Sequence, residues 1–88
     1  MEVGKIFESP ISTRIVRFFR ENPSSVDTAK GIATWTGLEL GLVKKELESL
    51  VKAKVLIAHR TSSTVGYALT NDNGLISKID EHLNKVSD

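Results

Sequence analysis

The sequence predicts a mainly α domain with a small β-hairpin, and three observations carry that expectation. Apolar residues recur at helical spacing in four separate stretches. Two β-branched, strand-like runs, VLIAHR and VGYALT, are separated only by the small polar residues TSST. Between these stretches lie Ser-Pro, Asn-Pro, Asp, Gly and Asn-Asp-Asn-Gly, which are cap and turn residues. In order, they give three helices, a hairpin and a further helix. In 88 residues, 40% hydrophobic and 26% charged, that is the balance of one globular unit. The expected domain is 1–88, with its core over 10–70 and the C-terminal helix over about 72–86.

Ser9 and Pro10 open the first helix: serine caps, and proline suits the first helical position because its missing N–H has no partner there. Ile11, Ile15, Phe18 and Phe19 form its apolar stripe, with Val16 at the margin and Arg14, Arg17 and Arg20 on the other side. Asn22-Pro23 ends it. Ahead of it Val3, Ile6 and Phe7 make a short apolar anchor, either helical or extended. Ser24-Ser25-Val26 is a link able to pair as a stub of strand. Asp27 is then expected to cap a second helix, with Ala29, Ile32, Ala33 and Trp35 inward and Gly31 marking close helix packing. Gly37 closes it with a tight turn.

A third helix runs from about 39 to 52. Val43, Leu47, Leu50 and Val51 share one face, while Lys44, Lys45, Glu48 and Lys52 share the other. Two helices joined by a short glycine-containing turn form a helix-turn-helix. The hairpin over about 55–70 follows as a wing. A last helix carries Leu75, Ile76, Ile79, Leu83 and Val86 along one side. The whole is a winged helix-turn-helix: a three-helix core, a two-stranded wing and a C-terminal helix.

Charge is unevenly placed. The net value is +1. Residues 1–29 balance, whereas 30–60 hold six cations (Lys30, Lys44, Lys45, Lys52, Lys54, Arg60) against three anions. The tail, 61–88, holds two cations against four anions. The middle of the chain is therefore the place to look for a polyanionic partner. Without cysteine there is no thiolate metal site or thiol nucleophile. His59 and His82 stand apart from each other and from any carboxylate at ligand spacing. No phosphate-cradling glycine loop, nucleophile elbow or paired carboxylates occur, so an enzyme, a metal and a cofactor are not expected. MEVGKIFESP lacks a basic-then-apolar leader pattern, and a cytoplasmic chain is expected.

The pattern Ile32-Ala33, Gly37-Leu38, Val43, Leu47, Leu50, Val55-Leu56 resembles the prokaryotic winged helix-turn-helix transcriptional regulators, MarR-like and related groups. Tyr67-Ala68-Leu69-Thr70 followed by Gly74 resembles the end of their wing. The resemblance covers roughly 10–75. It implies a DNA-binding transcriptional regulator whose third helix enters the major groove while the wing lies on the backbone or minor groove. It also implies a homodimer formed through terminal helices. Three positions depart from the pattern. Glu39 stands where serine or threonine usually caps the third helix. Leu40-Gly41-Leu42 replace polar residues on its first turn. Lys54 replaces the glycine before the wing, and because a left-handed lysine costs roughly 1 kcal/mol a different turn shape is expected.

The candidate contacts with double-stranded DNA are Lys44 and Lys45 on the outward face, the former paired with Glu48 one turn on. Lys30 against the backbone completes the set, with Arg60 at the hairpin base and Ser62, Ser63 and Thr64 at its tip on phosphate or in the minor groove. Leu40 and Leu42 either rest on thymine methyl groups or pack on protein. The third helix offers no arginine, asparagine or glutamine to grip a base edge. A protein–protein interaction module, using Leu40 and Leu42, is thus the alternative function. The C-terminal stripe either completes the monomer core or pairs with a twin, with Asp80, Glu81 and Asp88 away from the nucleic acid. No small-molecule effector can be named.

Overall fold

The computed structural model describes residues 3–85. Its elements are α1 (Val3–Ile6), α2 (Pro10–Glu21), β1 (Val26–Thr28), α3 (Ala29–Thr36), α4 (Leu40–Lys52), β2 (Leu56–Arg60), β3 (Val65–Leu69) and α5 (Asn73–Lys85). The architecture is the winged helix-turn-helix that the sequence predicts, with a third strand added to the wing. The strand order is β1-β3-β2, antiparallel throughout. The apolar anchor before α2 is helical, and Ile6 in it is buried. Val86 of the predicted last stripe, and Asp88, lie outside the described residues.

One core unites the elements. Ile15, Val16, Phe19, Ile32, Val43, Leu47, Leu50, Val55 and Ile79 are fully buried. Val16 is thus central rather than marginal, because α2 is covered on two sides. Ile79 and Leu83 of α5 are buried in this same core, so part of the C-terminal stripe completes the monomer. Burying such an aliphatic side chain contributes about 1.5–3 kcal/mol.

Caps fix the helix ends. The Ser9 hydroxyl accepts from the Ser12 N–H at 3.2 Å and donates to Glu46 Oε1 at 2.6 Å, tying the start of α2 to α4. Asp27 does not cap α3. It lies in β1 opposite Tyr67, and the cap passes to Thr28, whose hydroxyl accepts from the Gly31 N–H at 3.1 Å. Gly31 is small because of this turn: a Cβ there would lie 3.2 Å from Asp27 Oδ1 and 3.5 Å from Thr28 Oγ1. It does not mark helix–helix packing. Trp35 points outward, 73% exposed. The stripe that faces the interior runs through Ala29, Ile32, Ala33 and Thr36, and position 35 lies about 100° around the helix from the last of these. Gly37 turns the chain at φ 74°, as expected.

Lys54 also departs from expectation. It takes the left-handed conformation, φ 66°, that glycine adopts most readily. The N–H of Val55 reaches the Leu50 carbonyl and the N–H of Lys54 reaches that of Val51, each at 3.0 Å. That is a Schellman end to α4, closed by the buried contact between Val55 and Leu50. The side-chain packing and two hydrogen bonds outweigh a penalty of order 1 kcal/mol, so lysine is carried in glycine's conformation.

Candidate nucleic-acid interface

The α3–turn–α4 unit sets one helix face against the wing. Lys44, Glu48 and Lys52 follow one another at four-residue intervals, so they line one side of α4 over two turns. β3 lies opposite, and Tyr67, paired with Asp27 and Ala58, shares the lining of the space beside α4 with Lys44, Glu48 and Lys52. Two clefts result. One, of about 460 Å³, is lined by Thr28, Lys30, Lys44, Glu48, Thr64 and Tyr67 among others. The second, of about 240 Å³, is lined by Glu48, Val51, Lys52, Arg60 and Tyr67. Glu48 and Tyr67 line both, so the two clefts adjoin at this pair, which we call the waist of the groove.

The structure brings three of the sequence-derived candidates, Lys30, Lys44 and Thr64, into the larger cleft, and Arg60 into the smaller. Lys45 is exposed but one residue around the helix, and it lines neither. Ser62 and Ser63 are exposed at the wing tip. That tip is held by its own bonds: the Thr61 hydroxyl accepts from the N–H groups of Ser63 (3.4 Å) and Thr64 (3.1 Å), and the Thr61 N–H donates to the Thr64 carbonyl at 2.9 Å. The expected pair between Lys44 and Glu48 is not formed. Among the described residues Lys30, Lys44, Lys52 and Arg60 make no ion pair.

The tip of α4 has its own chemistry. Glu39 caps the helix with both carboxylate oxygens, which accept from the N–H groups of Gly41 at 2.8 Å and Leu42 at 3.1 Å. Gly41 makes this possible, since a Cβ there would lie 2.9 Å from Glu39 Oε1. The amide donors that a phosphate would seek at this helix end are therefore already occupied. Leu40 is half-buried and Leu42 is 45% exposed. The exposed cations Lys30, Lys44, Lys52 and Arg60 lie instead along the groove.

Lys52 and Tyr67 were not among the sequence-derived candidates. Lys52 was legible, because it repeats Lys44 two turns later on the same face. Tyr67 was not, because its place in both clefts depends on the register of β3 between two partners.

No protein-family model matches the chain, and no curated protein gives a sequence match. Solved structures do. An antimony-specific transcriptional repressor superposes with a TM-score of 0.74 at 16% identity, over 92% of this chain and 70% of that one. A homodimeric winged helix-turn-helix DNA-binding domain from Mycobacterium bovis, a possible ArsR-family transcriptional regulator, gives 0.67 at 22%, over 98% and 82%. A MarR family protein from Bacillus stearothermophilus gives 0.67 at 14%, over 92% and 58%. These likenesses establish the winged-helix fold.

Proposed function

We propose that this protein is a DNA-binding transcriptional regulator that holds a duplex between α4 and the wing. The observation that carries the reading is the convergence of four cations without an ion-pair partner among the described residues (Lys30, Lys44, Lys52 and Arg60) on one groove between the helix and the hairpin. Lysine and arginine placed in this way neutralise phosphates and release counterions, which gives affinity without sequence choice. The similar solved structures include a transcriptional repressor and a homodimeric DNA-binding domain, which supports the same reading. Lys45, Ser62 and Ser63 would meet the backbone at the margins of the footprint. Leu40 and Leu42 would lie on the floor of the major groove, against thymine methyl groups.

A single copy has few base-reading groups, so we propose that two copies act together through their terminal elements. Two α4 helices would then meet successive major-groove faces about 34 Å apart. The protein-interaction alternative has the exposed Leu42 in its favour but leaves the cations of the groove without a purpose. No described helix is long and apolar enough to cross a membrane, and the proposed work is that of a cytoplasmic, non-enzymatic protein.

The test is titration of a fluorescent random-sequence duplex at several salt concentrations. Binding at low salt whose logarithm falls linearly with log salt, with a slope near −0.9 per neutralised phosphate, is expected. No binding to any duplex pool at low salt would remove the proposal. Light scattering on the same sample reads the dimer.

A further inference from the structure

We infer that the Tyr67 hydroxyl is the group that fixes the position of the bound phosphate backbone, and that Glu48 directs the backbone onto it. The inference rests on the duplex reading above and names what happens at the waist of the groove.

The four cations at its ends are exposed side chains. The three lysines are flexible point charges, which attract a phosphate strongly and place it loosely. Tyr67 differs in each respect. It sits on the central strand, with Asp27 opposite on one side and Ala58 on the other. Its ring is half-buried and packed against the core. Its hydroxyl makes no hydrogen bond among the described residues, and the residue lines both clefts. A phenol has two side-chain torsions, so holding it costs little entropy, and a neutral O–H donates well to a phosphate oxygen.

Glu48 faces the same waist from α4. Its carboxylate only accepts hydrogen bonds, and it has no ion-pair partner among the described residues. It therefore repels a phosphate from the helix wall midway between Lys44 and Lys52. Attraction at both ends and repulsion in the middle of one wall press the backbone towards the other wall, where the phenol is. The waist positions; the ends attract.

Tyr67→Phe tests this, because it keeps the ring in the core and removes only the donor. With the random-sequence duplex, the variant is expected to bind about tenfold more weakly, as for loss of a hydrogen bond to a charged group. Its dependence of log affinity on log salt should match the wild type. Lys44→Gln, in contrast, should make that slope shallower by about 0.9. Glu48→Gln should raise affinity, and in its background the Tyr67→Phe loss should shrink, since the backbone is no longer pressed onto the wing. The paired variants form a double-mutant cycle that a purely structural tyrosine would not couple. Tyr67→Phe binding as tightly as wild type, a slope changed as in the lysine variant, or an additive cycle would each overturn the inference while leaving duplex binding intact. A wild-type protein that binds no duplex overturns both.

Discussion

The two flanks of α4 carry the same kinds of side chain and treat them in opposite ways. On the flank towards α2, Glu46 takes the hydroxyl of Ser9 at 2.6 Å. Farther back, Arg20 of α2 holds Asp80 of α5 through two bonds, Nε to Oδ1 at 2.7 Å and Nη2 to Oδ2 at 3.0 Å. Phe7 stacks on His82 with ring centroids 5.1 Å apart. On the flank towards the wing, Glu48 and four cations find no such partner among the described residues. Local sequence does not explain the difference, since Lys44-Glu48-Lys52 has the spacing for helical ion pairs. The chain engages its polar groups where elements are locked together, and it leaves them unpaired, among the described residues, along the face proposed to meet a duplex.

The most severe test of that division is a core substitution behind α4. Phe19→Ala removes a fully buried ring and is expected to cost about 3–5 kcal/mol, a large part of the stability of a small domain. Urea denaturation reads it. Duplex affinity per folded molecule should not change; if binding fell while the protein stayed folded, scaffold and groove would not be separable.

Next in size is a charge reversal on the other flank. Lys44→Glu with Lys52→Glu should weaken duplex binding about a hundredfold at low salt and reduce the salt slope by about two contacts. Both side chains are exposed, so the two new like-charge pairs with Glu48 at i,i+4 should lower the melting temperature by only a few degrees. A fall in melting temperature comparable to that of the core variant would show that these lysines are structural after all.

What the sequence could and could not disclose follows the same line. Periodicity gave α2, α4, the hairpin and the last helix because one-dimensional spacing reports which face is buried. Ser9, Gly37 and the Asp72 turn were legible because capping is local; Asp72 Oδ1 accepts from the Leu75 N–H at 3.1 Å. The errors arose where a partner distant in sequence decides. Asp27 lost its cap to Thr28 because β3 draws it into a strand. Trp35 was placed inward on hydrophobicity alone. In the groove, Lys30, Lys44, Thr64 and Arg60 were named as residues, but their convergence depends on the wing folding back on α4. The register that aims Tyr67 is set by the same long-range pairing.

A smaller effect is expected at the locked side. Asp80→Asn breaks the bidentate pair with Arg20, whose side chains are 29% and 43% exposed in the order Arg20, Asp80. Exposure of that degree limits the loss to about 0.5–1 kcal/mol, with no change in duplex affinity. The hydrogen bond to Asp80, aided by its charge and opposed by burial, raises the Arg20 pKa above its ordinary value. A raised pKa means the arginine's contribution is complete below the unfolded value and lost only at strongly alkaline pH. Stability contributed by Arg20 should therefore be flat through neutral pH, and a slope there that vanished in the variant would contradict the assignment.

The smallest predicted effect lies where the two regions join. Lys54 links α4 to β2 in a left-handed conformation at φ 66°. Lys54→Gly relieves a strain of about 1 kcal/mol, while the freer unfolded chain takes back roughly 0.4–1 kcal/mol. A gain of a few tenths of a kcal/mol is expected, read as a small rise in the urea midpoint at unchanged denaturant slope. The Schellman bonds use backbone groups only, so they survive the change and keep the wing at its angle to α4. Because Lys54 lines neither cleft, duplex affinity should move by less than about threefold, through loss of one distant exposed charge. A larger loss would mean that the stiffness of this joint, and not only the side chains on either side of it, holds the groove open at the width a backbone needs.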